Sequence, residues 1–150
     1  PRIGPHLELT SSGRFTLHCR IFEVGGVTVT LPETIEVETG PEPGGSVIWL
    51  HGLGADGHDF EPIVPHLRIP ETEPVRFIFP HAPSIPVTIN NGMVMPAWYD
   101  ILNLNFNHSA NETQLRASAA AVGLLVEREI KRGLDSRRII IVGFSQGGAV

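Results

Sequence analysis

Apolar residues follow two rhythms along this chain, and the alternation between them outlines a fold. Three short stretches are almost continuously apolar: Val47-Ile48-Trp49-Leu50, Val75-Arg76-Phe77-Ile78-Phe79 and Ile139-Ile140-Ile141-Val142. Their length and β-branched content predict strands inside a sheet, the last of them buried on both faces. The other rhythm fills residues 109–133, where Leu115, Ala119, Val122, Leu125, Val126 and Ile130 share one stripe at helical spacing. Ser109 with Glu112 fits a capping box at its start. Lys131 and Arg132 suit the negative end of the helix, and Gly133 suits its stop. A shorter helix carrying Ile63, Val64 and Leu67 is expected between the first two strands. Pro62 is tolerable in its first turn, while Pro65 limits or kinks it. Strand, helix, strand, long loop, helix, strand is the order of an α/β fold: a parallel sheet with helices packed on it.

Upstream, Thr34-Ile35-Glu36-Val37-Glu38 alternates strictly and predicts a half-exposed strand. Residues 14–23 alternate as well, through Phe15, Leu17, Cys19 and Ile21. Gly25-Gly26 would turn that strand back onto Val27-Thr28-Val29 as a hairpin. The competing reading is that this segment is foreign to the domain. Residues 81–108 are too long for a simple connector and suggest a binding loop or lid. Within them, Val87 to Met95 looks like a small hairpin, with Asn91-Gly92 supplying positive φ angles.

Composition narrows the function classes. At 150 residues and 41% apolar content, the chain has the size and substance of one domain with a core. A net charge of −5, with scattered basic residues of which only Lys131 is a lysine, argues against nucleic acid or an anionic membrane as partner. No apolar run approaches the ~20 residues needed to span a bilayer, and the first residues do not have the layout of a signal peptide. A single cysteine, Cys19, makes no internal disulfide. Together these features suit a bacterial-type cytoplasmic enzyme. The chain opens on Pro1, has its first methionine at Met93 and stops five residues after Ser145, which reads as a fragment.

The sharpest chemistry sits next to the last strand. Gly143-Phe144-Ser145-Gln146-Gly147 matches G-x-S-x-G, a turn that lifts a serine above the sheet edge while glycines let strand and helix approach. Ser145 is therefore the candidate nucleophile; the bland alternative is a tight turn that happens to hold serine. Attack by a serine needs a base, and donors for the oxyanion that forms. The backbone N–H of Gln146 would supply one donor. The loop His51-Gly52-Leu53-Gly54 has the form to supply another through Leu53, or else is only a glycine-rich connector. His51 is better suited to fixing that loop by hydrogen bonding than to acting as base. Asp56, His58 and Asp59 read as solvated or capping groups, so no metal site is expected. Met93, Val94 and Met95 would line an acyl site or simply be buried. Trp98 and Tyr99 are core or pocket, and Asp100 is an anchor for the long loop.

Four stretches taken together carry a resemblance: Val47-Ile48-Trp49-Leu50-His51-Gly52-Leu53-Gly54-Ala55-Asp56-Gly57, Phe79-Pro80-His81-Ala82-Pro83, Met95-Pro96-Ala97-Trp98-Tyr99-Asp100 and Gly143-Phe144-Ser145-Gln146-Gly147-Gly148. From about Val29 to Val150 the chain resembles the carboxylesterase/phospholipase family of small α/β-hydrolases, which includes acyl-protein thioesterases and bacterial carboxylesterases. The resemblance implies the N-terminal part of a mostly parallel α/β-hydrolase sheet with helices on both faces. It implies Ser145 as nucleophile, Leu53 and Gln146 as the oxyanion hole, and Met93, Met95 and Trp98 around the acyl pocket. The substrate it implies is a small-molecule carboxylic ester or thioester with a short to medium acyl chain, with no cofactor and no metal. Val29-Thr30-Leu31-Pro32-Glu33-Thr34 stands where members of the family often begin, so residues 1–28 are expected to be an extension. The chain departs from the family in one respect. The triad of α/β-hydrolases runs Ser, acid, His, yet all seven histidines precede Ser145. The expected base and acid are therefore missing, the strand at Ile139 becomes a long apolar edge, and the alternative reading is a catalytically incomplete piece.

Overall fold

Two of the three apolar runs, at Val47 and Val75, form the middle of a sheet, as their need for burial dictates. The computed structural model describes residues 8–9, 15–16, 21–103 and 110–150. In chain order, β1 (Glu8–Leu9) pairs with β2 (Phe15–Thr16), and β3 (Phe22–Val24) pairs antiparallel with β4 (Val27–Val29). β5 (Thr34–Glu38), β6 (Gly45–Leu50), β7 (Val75–Pro80) and β10 (Ile139–Gly143) make a four-stranded sheet in the order β10-β6-β7-β5. β10, β6 and β7 are parallel, and β5 joins β7 antiparallel. β8 (Ser84–Val87) and β9 (Met93–Pro96) form a separate hairpin, and α1 (Glu112–Lys131) precedes β10.

The period-2 alternation of strand side chains divides the core into two layers. Ile48, Leu50 and Ile78 face α1 and pack with Val122 and Leu125. Phe77 and Phe79 point the other way, onto Val64 of the 3-10 helix Glu61–Leu67, with Val47, Trp49 and Phe60 beside them. The expected short helix is thus present as a 3-10 helix. Pro62 sits in its first turn and Pro65 inside it, where the missing N–H would break an α-helical ladder. Among the described residues no helix is long and apolar enough to cross a membrane.

Several expectations need correction. α1 starts at Glu112 and is capped by Asn111, whose side chain accepts from the Gln114 N–H at 3.2 Å; the expected cap, Ser109, lies outside the described residues. The buried helix face is Ala117, Ser118, Val122, Leu124, Leu125 and Glu129, whereas Ala119 and Ile130 are exposed. The stripe is rotated because β4 also claims part of the helix: Val29 packs with Ala117 and Leu124. β10 is not buried on both faces. It occupies the edge of the sheet, and Ile140 and Ile141, which point to opposite faces, remain 58% and 54% exposed.

Gly25 (φ 56°) and Gly26 (φ 83°) make the expected turn between β3 and β4. The expected division between residues 28 and 29 falls inside this hairpin, whose Val24 and Val27 also pack toward α1. Residues 17–20 of the first alternating stretch lie outside the described residues. The second hairpin is shifted from its expected position. Its first arm ends at Val87, and residues 88–90 form a 3-10 turn before Asn91 (φ 55°) and Gly92 (φ 73°). Asp100 causes the shift by accepting from the Thr88 N–H at 2.7 Å and the Thr88 hydroxyl at 2.6 Å, which holds the chain in a turn there.

The polar side of β5 is exposed, as its alternation predicts, and its carboxylates are paired with arginines. Arg76 of β7 sits opposite Glu38 and bonds it at 2.8 Å. Arg128 of α1 and Arg132, which caps its C-terminus, reach Glu36 at 2.6 and 2.8 Å. At the centre is Glu129, with no exposed surface, bonded by Arg76 at 2.8 Å, Arg132 at 2.9 Å and the Ser46 hydroxyl at 3.2 Å. Burial pushes the Glu36 carboxyl up, but the Arg132 bond and the charges of Arg128 and Arg132 outweigh it and hold the group below its ordinary value. Its stabilising contribution is therefore complete above the ordinary carboxylate range and is lost as pH falls through the lowered value. Glu129→Ala should destabilise the fold by about 3 kcal/mol in urea denaturation, since it removes the one fully buried partner that Arg76, Arg132 and Ser46 share. Pairing Glu129→Met with Arg76→Met should recover much of that loss. A single-variant loss below about 1 kcal/mol would show that the network is solvated and weak.

Candidate active site

β10 ends at Gly143, and the chain then turns sharply. Ser145 has φ 52°, a left-handed conformation that side chains other than glycine rarely adopt. The turn is held by bonds from the Phe144 N–H to Leu50 O and from the Gly147 N–H to Phe144 O, each 3.0 Å. A 3-10 turn, Ser145–Ala149, follows. The two glycines of the motif are there for space. A Cβ on Gly147 would lie 2.6 Å from His51 O and 2.7 Å from Leu50 O, and one on Gly143 would overlap the carbonyl of Gly147. The crossing brings the end of β10 onto the end of β6 and leaves Ser145 exposed.

The loop after β6 lies against this turn. A Cβ on Gly52 would be 3.4 Å from the Cβ of Ser145 and from the ring of Phe144, so Leu53 follows a residue in contact range of the serine. The loop's own bonds run from the Gly54 N–H to Pro96 O at 2.8 Å and from the Ala55 N–H to Gly52 O at 3.3 Å. Leu53 itself is half-buried. His51 is 1% exposed and uses both ring nitrogens: Nε2 accepts from the Ala82 N–H at 3.1 Å, and Nδ1 lies 2.8 Å from Gly52 O. An accepting Nε2 leaves the proton on Nδ1, which donates to Gly52 O. This neutral tautomer fixes the loop and has no nitrogen left to take a proton from a serine.

The segment after β9 closes the third side. Trp98 is 2% exposed, and all its polar groups are engaged. Its N–H donates to Gln146 Oε1 at 2.9 Å, its indole N–H donates to His51 O at 2.9 Å, and its carbonyl accepts from the Ser118 hydroxyl. The expected place of Trp98 at a pocket wall gives way to a brace behind the site, because a ring this deeply buried presents no face to a ligand. Met95 stands at the border, with its sulfur 3.8 Å from where a Cβ on Gly54 would be and bonded by Asn90 at 3.4 Å. Met93 lies at the far end of β9, 64% exposed. Asp100 is the anchor expected of it, tying Thr88 to the loop. Sequence reasoning missed Ser118 and the side chain of Gln146. The only available signal was a polar residue breaking an alanine run at Ser118, and an amide at a motif position that tolerates any residue.

The remaining described histidines are engaged elsewhere. His58 pairs with Glu61 at 3.0 Å, His81 Nδ1 accepts from the Gly57 N–H at 3.2 Å, and His66 lies exposed in the 3-10 helix Glu61–Leu67. Asp56 caps its own loop by accepting from the His58 N–H at 2.7 Å. Among the described residues no group of three or more His, Cys, Asp or Glu side chains is placed to hold a metal ion.

Burial pushes the His51 imidazole below its ordinary value, against the opposite pull of its bond to Gly52 and the charge of Asp56. In the window between the lowered value and the ordinary one, about 6.5, the unfolded chain binds a proton that the folded chain refuses. Stability is then complete above that window and falls as pH drops through it. The melting temperature should decline between pH 7.5 and pH 5 more steeply in the native sequence than in His51→Gln. Equal slopes would remove His51 as the cause.

Comparison with known proteins agrees with this geometry. Residues 33–150 match the phospholipase/carboxylesterase family. Acyl-protein thioesterase 1 of Neurospora crassa is 43% identical over 111 residues, and that of Cryptococcus neoformans is 41% identical over 110 residues. In each case the match covers 70% of this chain and 45% of the relative, so the chain spans about half the length of the curated relatives it matches. Among solved structures, SOBER1 of Arabidopsis thaliana superposes with a TM-score of 0.63 at 36% identity, covering 69% of this chain and 50% of that one. Zea mays acyl-protein thioesterase 2 gives 0.61 at 28% identity, covering 77% and 47%. The match of the family model over residues 33–150 places the chain in the phospholipase/carboxylesterase family of α/β-hydrolases.

Proposed function

We propose that this chain carries the nucleophile and the oxyanion donors of a serine hydrolase that cleaves carboxylic ester or thioester bonds of short to medium acyl chains. The observation that carries the reading is Ser145 at φ 52° on the end of β10, with the Gly52 loop packed against its Cβ. A serine in that position attacks an acyl carbon from above the sheet. The N–H groups of Leu53 and Gln146, on the two elements that meet there, receive the negative charge that develops on the carbonyl oxygen. An acyl-enzyme forms on the Ser145 oxygen, the alcohol or thiol leaves with a proton, and water releases the acid. Met95 and the exposed Met93 offer the acyl chain an adaptable apolar border. The names of the fungal relatives favour a thioester among the candidate substrates.

A base and an acid complete such a site. With His51 locked and His58 and His81 bonded elsewhere, the base is to be sought outside the described residues. The same observation favours a second reading for the 150 residues in isolation, namely a piece that binds but does not turn over. Ser145→Ala in the natural full-length protein should lower kcat/KM for p-nitrophenyl acetate by about 10⁴-fold or more. The 150-residue chain by itself should hydrolyse the ester no faster than its own Ser145→Ala variant. Serine-independent turnover by the full-length protein would overturn the first reading, and serine-dependent turnover by the isolated chain would overturn the second.

A further inference from the structure

Gln146 occupies a motif position that accepts any residue, yet its side chain is 5% exposed and fully bonded. Oε1 accepts from the Trp98 N–H at 2.9 Å, and Nε2 donates to Tyr99 O at 2.7 Å. The primary amide thus behaves as a single extra rung of backbone, satisfying a donor and an acceptor on consecutive residues of a long loop. From Trp98 the connections continue in two directions. The indole N–H reaches His51 O at 2.9 Å, directly before Gly52 and Leu53, and the Trp98 carbonyl takes the Ser118 hydroxyl from α1.

We propose that the Gln146 side chain is a positioning group for the oxyanion hole. By clamping the Trp98–Tyr99 backbone, it sets the direction of its own main-chain N–H relative to the Leu53 loop that Trp98 holds from the other side. The inference deepens the hydrolase reading and rests on it. Its physical basis is that Ser145 is held in a left-handed conformation and Gly147 is pressed against the Leu50 and His51 carbonyls, so the Gln146 peptide lies between two fixed points. The turn is pinned by Phe144 and Gly147 to its neighbours, and between them the Gln146 side chain reaches across to Trp98 and Tyr99 of the long loop. The Leu53 loop is tied to the same segment by the Gly54 N–H on Pro96 O. Both donors are consequently referenced to residues 96–99, and the distance between them becomes a property of that one segment. Neutrality and length are both required of the clamp. A carboxylate accepts from the Trp98 N–H but repels the Tyr99 carbonyl, and asparagine keeps both groups but is one methylene too short to meet both partners.

The test is steady-state hydrolysis of p-nitrophenyl acetate by the natural full-length protein and its Gln146→Glu, Gln146→Asn and Ser145→Ala variants. At pH 8, Gln146→Glu should lower kcat by about 10- to 100-fold, the scale of an ångström-level misplacement, with KM within about 2-fold of the parent. The ratio of variant to parent kcat should climb back as pH falls toward 5, because a protonated glutamate again offers one acceptor and one donor. A merely structural loss would not show that recovery. Parental kcat in Gln146→Glu, or a deficit that stays constant with pH, overturns the proposal. If Gln146→Glu does not fold, Gln146→Asn decides: a loss of kcat of about 5-fold or more at parental KM supports the clamp, and parental kcat overturns it. Parent activity that survives Ser145→Ala, or no activity at all, instead removes the hydrolase reading, and this inference falls with it.

Discussion

Backbone pressed against backbone at the ends of β6 and β10 is the constraint on which the rest depends. The carbonyls of Leu50 and His51 lie where a side chain on Gly147 would have to be, so the two chain segments meet with nothing between them. That contact sets the height of Ser145 above the sheet. It also brings the Gly52 loop beneath the serine and leaves the His51 carbonyl free to receive the Trp98 indole. A hydrogen-bonded frame is the result, in which His51, Trp98, Ser118 and Gln146 bond one another's polar groups and lock each other's orientation.

The parts of this arrangement that were legible in the sequence are those enforced by local sterics or by solvent. Val47–Leu50 and Val75–Phe79 announce inner strands because nothing but a covered sheet can hide them. Gly143 and Gly147 announce the elbow because no other residue fits there. Asn91-Gly92 announces a reversal because the turn needs positive φ. What stayed hidden depends on partners far away in the chain. Asn111 and Ser109 are equally good caps by composition, and which one begins the helix is decided by tertiary contacts such as the Asp100 carbonyl receiving the Asn111 N–H. Glu129 looks like part of a solvated face, yet it is buried because Arg76 and Ser46 arrive from two strands. Trp98 reads as an aromatic next to a pocket, and only the ring of bonds around it reveals a brace.

The network of arginine–glutamate pairs and the serine stand at opposite ends of the same sheet. Glu36, Glu38 and Glu129 balance Arg76, Arg128 and Arg132 near the C-terminal end of α1. The serine end relies on neutral groups: backbone amides, an indole, a primary amide, a hydroxyl and a neutral imidazole. This separation suits a site whose task is to receive one developing negative charge. Dipoles already aimed at the place where that charge develops cost no reorganisation at the moment of reaction.

Ser145 is also placed by a contact that spans most of the described chain. The β3–β4 and β8–β9 hairpins close over a few residues, and α1 forms from its own neighbours, whereas β10 pairs with β6 in register from Ile139 on Ser46, roughly ninety residues away. Closing a loop of that size is entropically the dearest single step, and parallel pairing rewards it only once most of its rungs are in place. The nucleophile therefore depends on the longest-range pairing in the sheet, and a change that weakens the β6–β10 register displaces Ser145 from the loop that Gln146 and Trp98 hold together.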